Sequence, residues 1–231
     1  MNNTYKKMIT AGVLISSAVF TTQAMAQAYA TIEVSSNKMG RGVTVSDDGP
    51  SVTGNLRKNF ASGFYVGVLG ANVHLPPAEY TEQTYEVDVY GGYTGETANG
   101  IRYDMGYMYY AFPAADDDLS GTDYSEVYGV IGYKGFDFEI DYTLDKKDND
   151  GSDDNEHDAY YLLSYNGKTA RGIGYGFAAG YVDSQSNASY THYQASISKD
   201  GFKFALDDND IEDFGLGDPR VSVTWTKHFG F

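Results

Sequence analysis

Arg220-Val-Ser-Val-Thr-Trp-Thr-Lys-His-Phe-Gly-Phe231 closes the chain and alternates by twos to its last residue. Val221, Val223, Trp225, Phe229 and Phe231 fall on one face, and Ser222, Thr224, Thr226 and His228 on the other. Successive side chains of a strand point to opposite faces, so this segment has one apolar and one polar surface. Lys227 interrupts the apolar face.

The same two-residue rhythm recurs along the chain. Twelve segments carry it, at about 28–38, 50–60, 63–74, 83–94, 99–112, 123–134, 135–145, 157–167, 170–183, 189–199, 201–207 and 219–230. The clearest is Phe136-Asp-Phe-Glu-Ile-Asp-Tyr-Thr-Leu144, with Phe136, Phe138, Ile140, Tyr142 and Leu144 opposite Asp137, Glu139, Asp141 and Thr143. In the segments at 63–74 and 157–167 both faces are apolar enough that the pattern leaves their orientation open. Short connections at Ala61-Ser62, Gly95–Ala98, Lys134-Gly135, Asn166–Thr169 and Asp200-Gly201 alternate with longer ones at 39–49, 75–82, 113–122, 146–156, 184–188 and 208–218. Tight turns at one end and larger loops at the other are the rhythm of an up-and-down transmembrane barrel. The expected fold is all-β: an antiparallel β-barrel of about twelve strands.

The two chain ends give this barrel an address. Residues 1–26 carry Lys6 and Lys7, then an apolar run from Met8 to Phe20, then Ala24-Met25-Ala26 as a small-residue cleavage site. That run is too short to cross a bilayer as a helix. It reads as a secretory signal peptide, with residues 27–231 as one mature barrel domain. At the other end, a terminal aromatic on an alternating strand resembles the sorting signal of bacterial outer-membrane barrels. The expected location is the outer membrane of a Gram-negative bacterium. The expected partners are outer-membrane lipid and the barrel assembly machinery, engaged through the strand ending in Phe231.

Composition agrees with this class. The 231 residues include 27 Gly, 22 Tyr and 12 Phe but no cysteine, which excludes disulfides and cysteine-linked lipid. Mean hydropathy is negative, as expected where alternate residues alone meet lipid. The net charge of −16 disfavours nucleic acid.

Several blocks together resemble the TorF family of porin-like proteins. They are Gly40-Arg-Gly-Val-Thr44 with Asp48-Gly-Pro-Ser-Val-Thr-Gly54, Ser62-Gly-Phe-Tyr-Val-Gly-Val-Leu-Gly-Ala-Asn-Val73 and Glu86-Val-Asp-Val-Tyr-Gly-Gly-Tyr93. Gly100-Ile-Arg-Tyr-Asp-Met-Gly-Tyr-Met-Tyr-Tyr110 and Glu126-Val-Tyr-Gly-Val-Ile-Gly-Tyr133 continue the series. Where family members carry an aromatic just before the Arg-Gly pair, this chain has Asn37-Lys38-Met39-Gly40. The resemblance implies an outer-membrane pore and names no solute.

If the apolar faces meet lipid, the other faces line a lumen. That set holds Glu33, Arg57, Glu86, Asp88, Arg102, Asp104, Glu126, Asp137, Glu139, Asp141, Lys203 and Arg220. The pore-lining candidates are Glu86, Asp88, Arg102, Asp104, Glu126, Asp137, Glu139 and Asp141. Acidic linings select cations, so passive diffusion of small hydrophilic solutes with cation preference is one expectation. Pairing of these acids and bases into a plug is the other, and would leave a closed structural, receptor or adhesive barrel acting through its loops. Aromatic clusters at Tyr107, Tyr109, Tyr110 and Phe112, and at Tyr160, Tyr161 and Tyr165, read as interface girdles, with stacking on a sugar as the alternative.

No cofactor and no enzyme activity are expected. An outer-membrane lipid hydrolase would need a serine within hydrogen-bond reach of a histidine, and His192 and Ser196 sit about 13 Å apart along one strand face. The glycines at 172, 174, 176 and 180 lack nucleotide-loop spacing and read as a smooth lumen stripe. The acidic stretches 145–156 and 207–213 read as solvated loops. Aligning Gly151 with the glycine of a calcium-binding loop puts Lys146 and His157 at ligand positions, which breaks that motif.

Overall fold

The computed structural model describes residues 27–74, 84–113, 123–146, 157–185, 188–212 and 215–231. The expected signal peptide, most of the first acidic loop, the whole loop at 75–82 and most of that at 113–122 lie outside these residues. Among the described residues fourteen strands are formed: β1 (Gln27–Ser35), β2 (Met39–Gly40), β3 (Val43–Thr44), β4 (Ser51–Asn59), β5 (Phe64–Val73), β6 (Thr84–Glu96) and β7 (Arg102–Ala111). They continue as β8 (Tyr124–Tyr133), β9 (Phe136–Lys146), β10 (Ala159–Lys168), β11 (Gly174–Asp183), β12 (Tyr190–Lys199), β13 (Phe202–Asn209) and β14 (Arg220–Gly230). Twelve of them close into an antiparallel barrel in which each strand pairs with its sequence neighbours and β14 returns to β1. The remaining two, β2 and β3, form a separate small hairpin.

Closure leaves no unpaired edge, and so satisfies the backbone without water. The seam runs from Tyr29 opposite Gly230 to Ser35 opposite Thr224, and the Phe231 amide donates to the Ala28 carbonyl at 3.0 Å. Val52, Leu56, Val66, Val89, Met105, Ile131, Phe138, Ile140, Leu163, Phe177, Ile197 and Val221 all point outward and are exposed. On β5 the ambiguity is resolved with Tyr65, Leu69, Ala71 and Val73 inward and Phe64, Val66 and Val68 outward; on β10, Tyr160 is inward and Tyr161 and Leu163 outward.

Turn chemistry is repeated at one end. Lys134-Gly135 and Asp200-Gly201 have positive φ at both residues, the conformation that matches the twist of a two-residue hairpin. Thr97–Ile101 and Thr169–Ile173 share a second design. In each, the glycine amide donates to the threonine carbonyl at 2.9 Å and the isoleucine amide to the threonine Oγ1 at 3.1 Å. Outward rings gather here, with Phe64–Tyr93 centroids at 5.1 Å, Tyr93–Tyr103 at 6.1 Å and Phe136–Tyr165 at 4.7 Å. Rings at such a level form an interface girdle. At the loop end Tyr107, Tyr109 and Tyr161 are outward, but Tyr110, Phe112 and Tyr160 are not. These three are buried inside the barrel, so the girdle reading fails for them.

Candidate functional site: a hairpin across the barrel interior

The connection between β1 and β4, read from sequence as an external loop, folds into the barrel. Met39 pairs with Thr44 and Gly40 with Val43, and Arg41-Gly42 makes the turn with φ of 47° and 81°. This is the X-Gly turn used at the opposite end of the barrel. A left-handed backbone costs a non-glycine residue about 1–2 kcal/mol, so Arg41 is held there by what it touches. A Cβ at Gly42 would collide with His192, so glycine allows both the turn and the approach to β12.

The hairpin spans the interior. In the ring of twelve strands β9 and β10 stand opposite the β1–β4 junction from which it departs. The Arg41 guanidinium bonds Glu126 of β8 at 2.7 Å and Asp141 of β9 at 3.0 Å, and lies 4.7 Å from the centre of the Tyr160 ring on β10. Burial works against its charge, but Glu126 and Asp141 hold its pKa well above the ordinary value. Tyr110 donates to the same Glu126 oxygen at 3.1 Å, and Thr143 donates to the other at 3.3 Å. A register shift beside Ser125 and Glu126 puts Glu126 opposite Thr143, the kind of re-aiming a bulge provides.

The tip and base are tied as well. Tyr190 donates to the Arg41 carbonyl at 3.1 Å, and Asn209 to the Gly42 carbonyl at 2.8 Å. Val45 is fully buried, its carbonyl accepts from the His74 amide at 2.9 Å, and with Val43 it packs against Tyr190 and Ile211. Asn37 binds Thr44 at 2.7 Å and Asp48 at 2.7 Å, and Asp48 is clasped by Arg220 at 2.6 Å. Lys38 is buried, with Nζ on Thr53 Oγ1 at 3.0 Å. Burial pulls its pKa down, while Glu86, Glu33 and Asp88 oppose the pull.

The eight pore-lining candidates and Arg57 fall on the inward faces of their strands, in two groups. Glu86, Asp88, Glu126, Glu139 and Asp141 gather around two cations, Lys38 at the base of the hairpin near Glu86 and Asp88, and Arg41 at its tip near Glu126, Glu139 and Asp141. Arg57, Asp104, Arg102 and Asp137 lie nearer the short turns. Arg57 stacks 3.6 Å over the Tyr65 ring, Tyr65 bonds Asp104 and Tyr128, and Arg102 meets Asp137 at 2.7 Å. Glycines make room for these rings: a Cβ at Gly92 would strike Tyr65, one at Gly67 Tyr90, and one at Gly106 Tyr128.

Asp207, placed in the second acidic loop by the sequence, belongs to β13 and accepts from Gln194 at 2.7 Å. The His192 ring meets the Tyr160 hydroxyl at 2.9 Å, and no serine is hydrogen-bonded to it among the described residues. Sequence reasoning missed Asn37, Lys38, Arg41, Tyr190 and Asn209. The signal that finds Arg41 is its place in an X-Gly turn between Met39 and Val43.

A family model matches residues 21–206. The chain belongs to the Gcw_chp family, described as bacterial proteins of unknown function. No curated protein matched the sequence. Among solved structures it is similar to a KdgM porin, with TM-score 0.53 at 9% identity over 88% of this chain and 99% of that one. A KdgM porin in complex with disordered oligogalacturonate gives 0.49 at 9% over 90% and 99%. LpxR from Salmonella typhimurium gives 0.42 at 13% over 88% and 100%. At 9% identity the likeness to the first of these is one of fold: a porin-like barrel.

Proposed function

We propose that this protein is an outer-membrane pore passing small hydrophilic solutes by diffusion, with the β2–β3 hairpin setting its bore. The observation that carries the reading is the hairpin itself, a polar crosspiece spanning a closed barrel whose outer surface is apolar. Hydrogen bonds and ion pairs dominate its attachment to the wall. The short turns would face the periplasm and the longer loops the exterior. The terminal strand would be the element read by the assembly machinery. The resemblance to TorF proteins adds to the pore reading.

Cation preference follows from the interior charge. The sequence places eight acids and four bases there, and the hairpin adds Lys38 and Arg41, which reduces the acidic excess without reversing it. Single-channel recording in a planar bilayer under a salt gradient tests this. Small cation-biased steps are expected, growing several-fold when residues 38–46 are replaced by a glycine-serine linker. Silence from both inserted proteins would sink the pore reading.

A second reading is a closed barrel acting through its loops. It is favoured by the burial of Glu86, Asp88, Tyr110, Tyr124, Glu126, Asp141, Tyr160 and His192 at the loop end. That silent result would select it.

A further inference from the structure

The hairpin brings two positive charges, three residues apart, to two separate acidic sites on the wall. Arg41 occupies the first, between Glu126 and Asp141 and against Tyr160; Glu139 adds a third carboxylate to its charge environment. Lys38 faces the second, Glu86 and Asp88, but its ammonium is bonded to Thr53 instead. Glu86 and Asp88 are 1% and 0% exposed, and among the described residues none of their four carboxylate oxygens has a hydrogen-bond partner. The buried Tyr124 hydroxyl, within electrostatic range of both, has none either. Buried acceptors without donors are costly, so this zone is short of N–H groups and of positive charge.

We infer that the loop-end acidic zone is a binding site for a linear polyamine, with Lys38 and Arg41 as its tethered stand-ins. One ammonium of the ligand bonds Glu86 and Asp88, where the oxygens stand free. A second reaches the Glu126–Asp141 cage in competition with Arg41. Strands β6 and β9 are three spacings apart, about 14 Å along the wall, and less across the curve, within reach of an extended triamine. The chemistry disfavours a compact metal ion, which needs several oxygens converging at about 2.3–2.6 Å. Among the described residues no three acidic or histidine side chains converge in that way. Separated carboxylates with aromatic walls suit separated ammonium groups, whose bonds are directional and whose charge is favoured over an aromatic face.

The inference rests on the pore reading for how the ligand arrives, but binding is measured without conduction. Spermidine is titrated calorimetrically into the refolded full-length protein in detergent micelles, with magnesium chloride as the control. One saturable site is expected, preferring spermidine to magnesium. The Glu86→Gln/Asp88→Asn variant removes no ion pair, so it should fold, and should bind spermidine about ten-fold or more weakly. Arg41→Ala should bind more tightly, because a tethered competitor acts at an effective concentration in the ~mM range. Affinity unchanged by the Glu86 and Asp88 substitutions, or equal heats for magnesium, overturns the proposal. A protein that binds spermidine yet never conducts keeps the site and loses the pore.

Discussion

The two ends of the barrel interior solve one problem differently. Near the short turns, the strands fill their own lumen: Tyr65, Tyr90 and Tyr128 lie over Gly92, Gly67 and Gly106 of adjacent strands, and Arg57 and Asp104 attach to those rings. Near the loops, the wall presents carboxylates that its own strands do not neutralise, and a segment from outside the sheet supplies the cations. Rings over glycines are local, set by neighbours in register. The hairpin is non-local, and joins residues 85 and 100 positions apart through Arg41. One end is therefore part of the sheet, and the other is a separate piece seated within it.

If that contrast holds, substitutions at the two ends differ in size. Arg41→Ala should have the largest effect, because it strips both Glu126 and Asp141 of a buried partner; about 3–5 kcal/mol is expected. Urea unfolding in micelles measures it, and a loss under 1 kcal/mol would mean the hairpin is not seated as described. Gly42→Ala comes next, at about 1–3 kcal/mol from overpacking against His192. Its signature is increased proteolysis within residues 36–50 while the barrel stays folded. Gly92→Ala at the other end should cost a similar amount but lower the stability of the whole barrel, since it displaces Tyr65. Asp137→Asn should be smallest, about 0–1 kcal/mol, because its pair with Arg102 is partly exposed. An Asp137 effect equal to that of Arg41 would erase the distinction between the two ends.

The sheet was legible in the sequence because alternation is a strong local signal. All twelve barrel strands lie within a few residues of the segments that the two-residue rhythm marks. The turns at Lys134-Gly135 and Asp200-Gly201 fall where the sequence puts them, but those expected at Gly95–Ala98 and Asn166–Thr169 lie about three residues later, on Gly100 and Gly172, so Gly172 is a turn residue and not part of the lumen stripe. The side-chain facing was legible wherever one face was acidic, as at Phe136–Leu144. It was hidden on β5 and β10, where Tyr65, Leu69 and Tyr160 point inward and both faces look apolar. Tyr110 and Phe112 misled for the same reason: an aromatic fits an interface girdle and a packed lumen equally well. The hairpin was missed because two-residue strands carry no periodicity. Its position depends on Glu126, Asp141, Tyr190 and Asn209, all far away in sequence.

The seam between β1 and β14 also anchors the hairpin. The hairpin departs from β1, and β14 completes the wall beside it. The two meet at the rim, where the Ser36 amide donates to the Val223 carbonyl at 2.9 Å, the Val223 amide to Ser36 Oγ at 3.0 Å, and Arg220 clasps Asp48. Because the crosspiece shares the rim with β14, the same bonds that fix its base also fasten the strand that completes the wall.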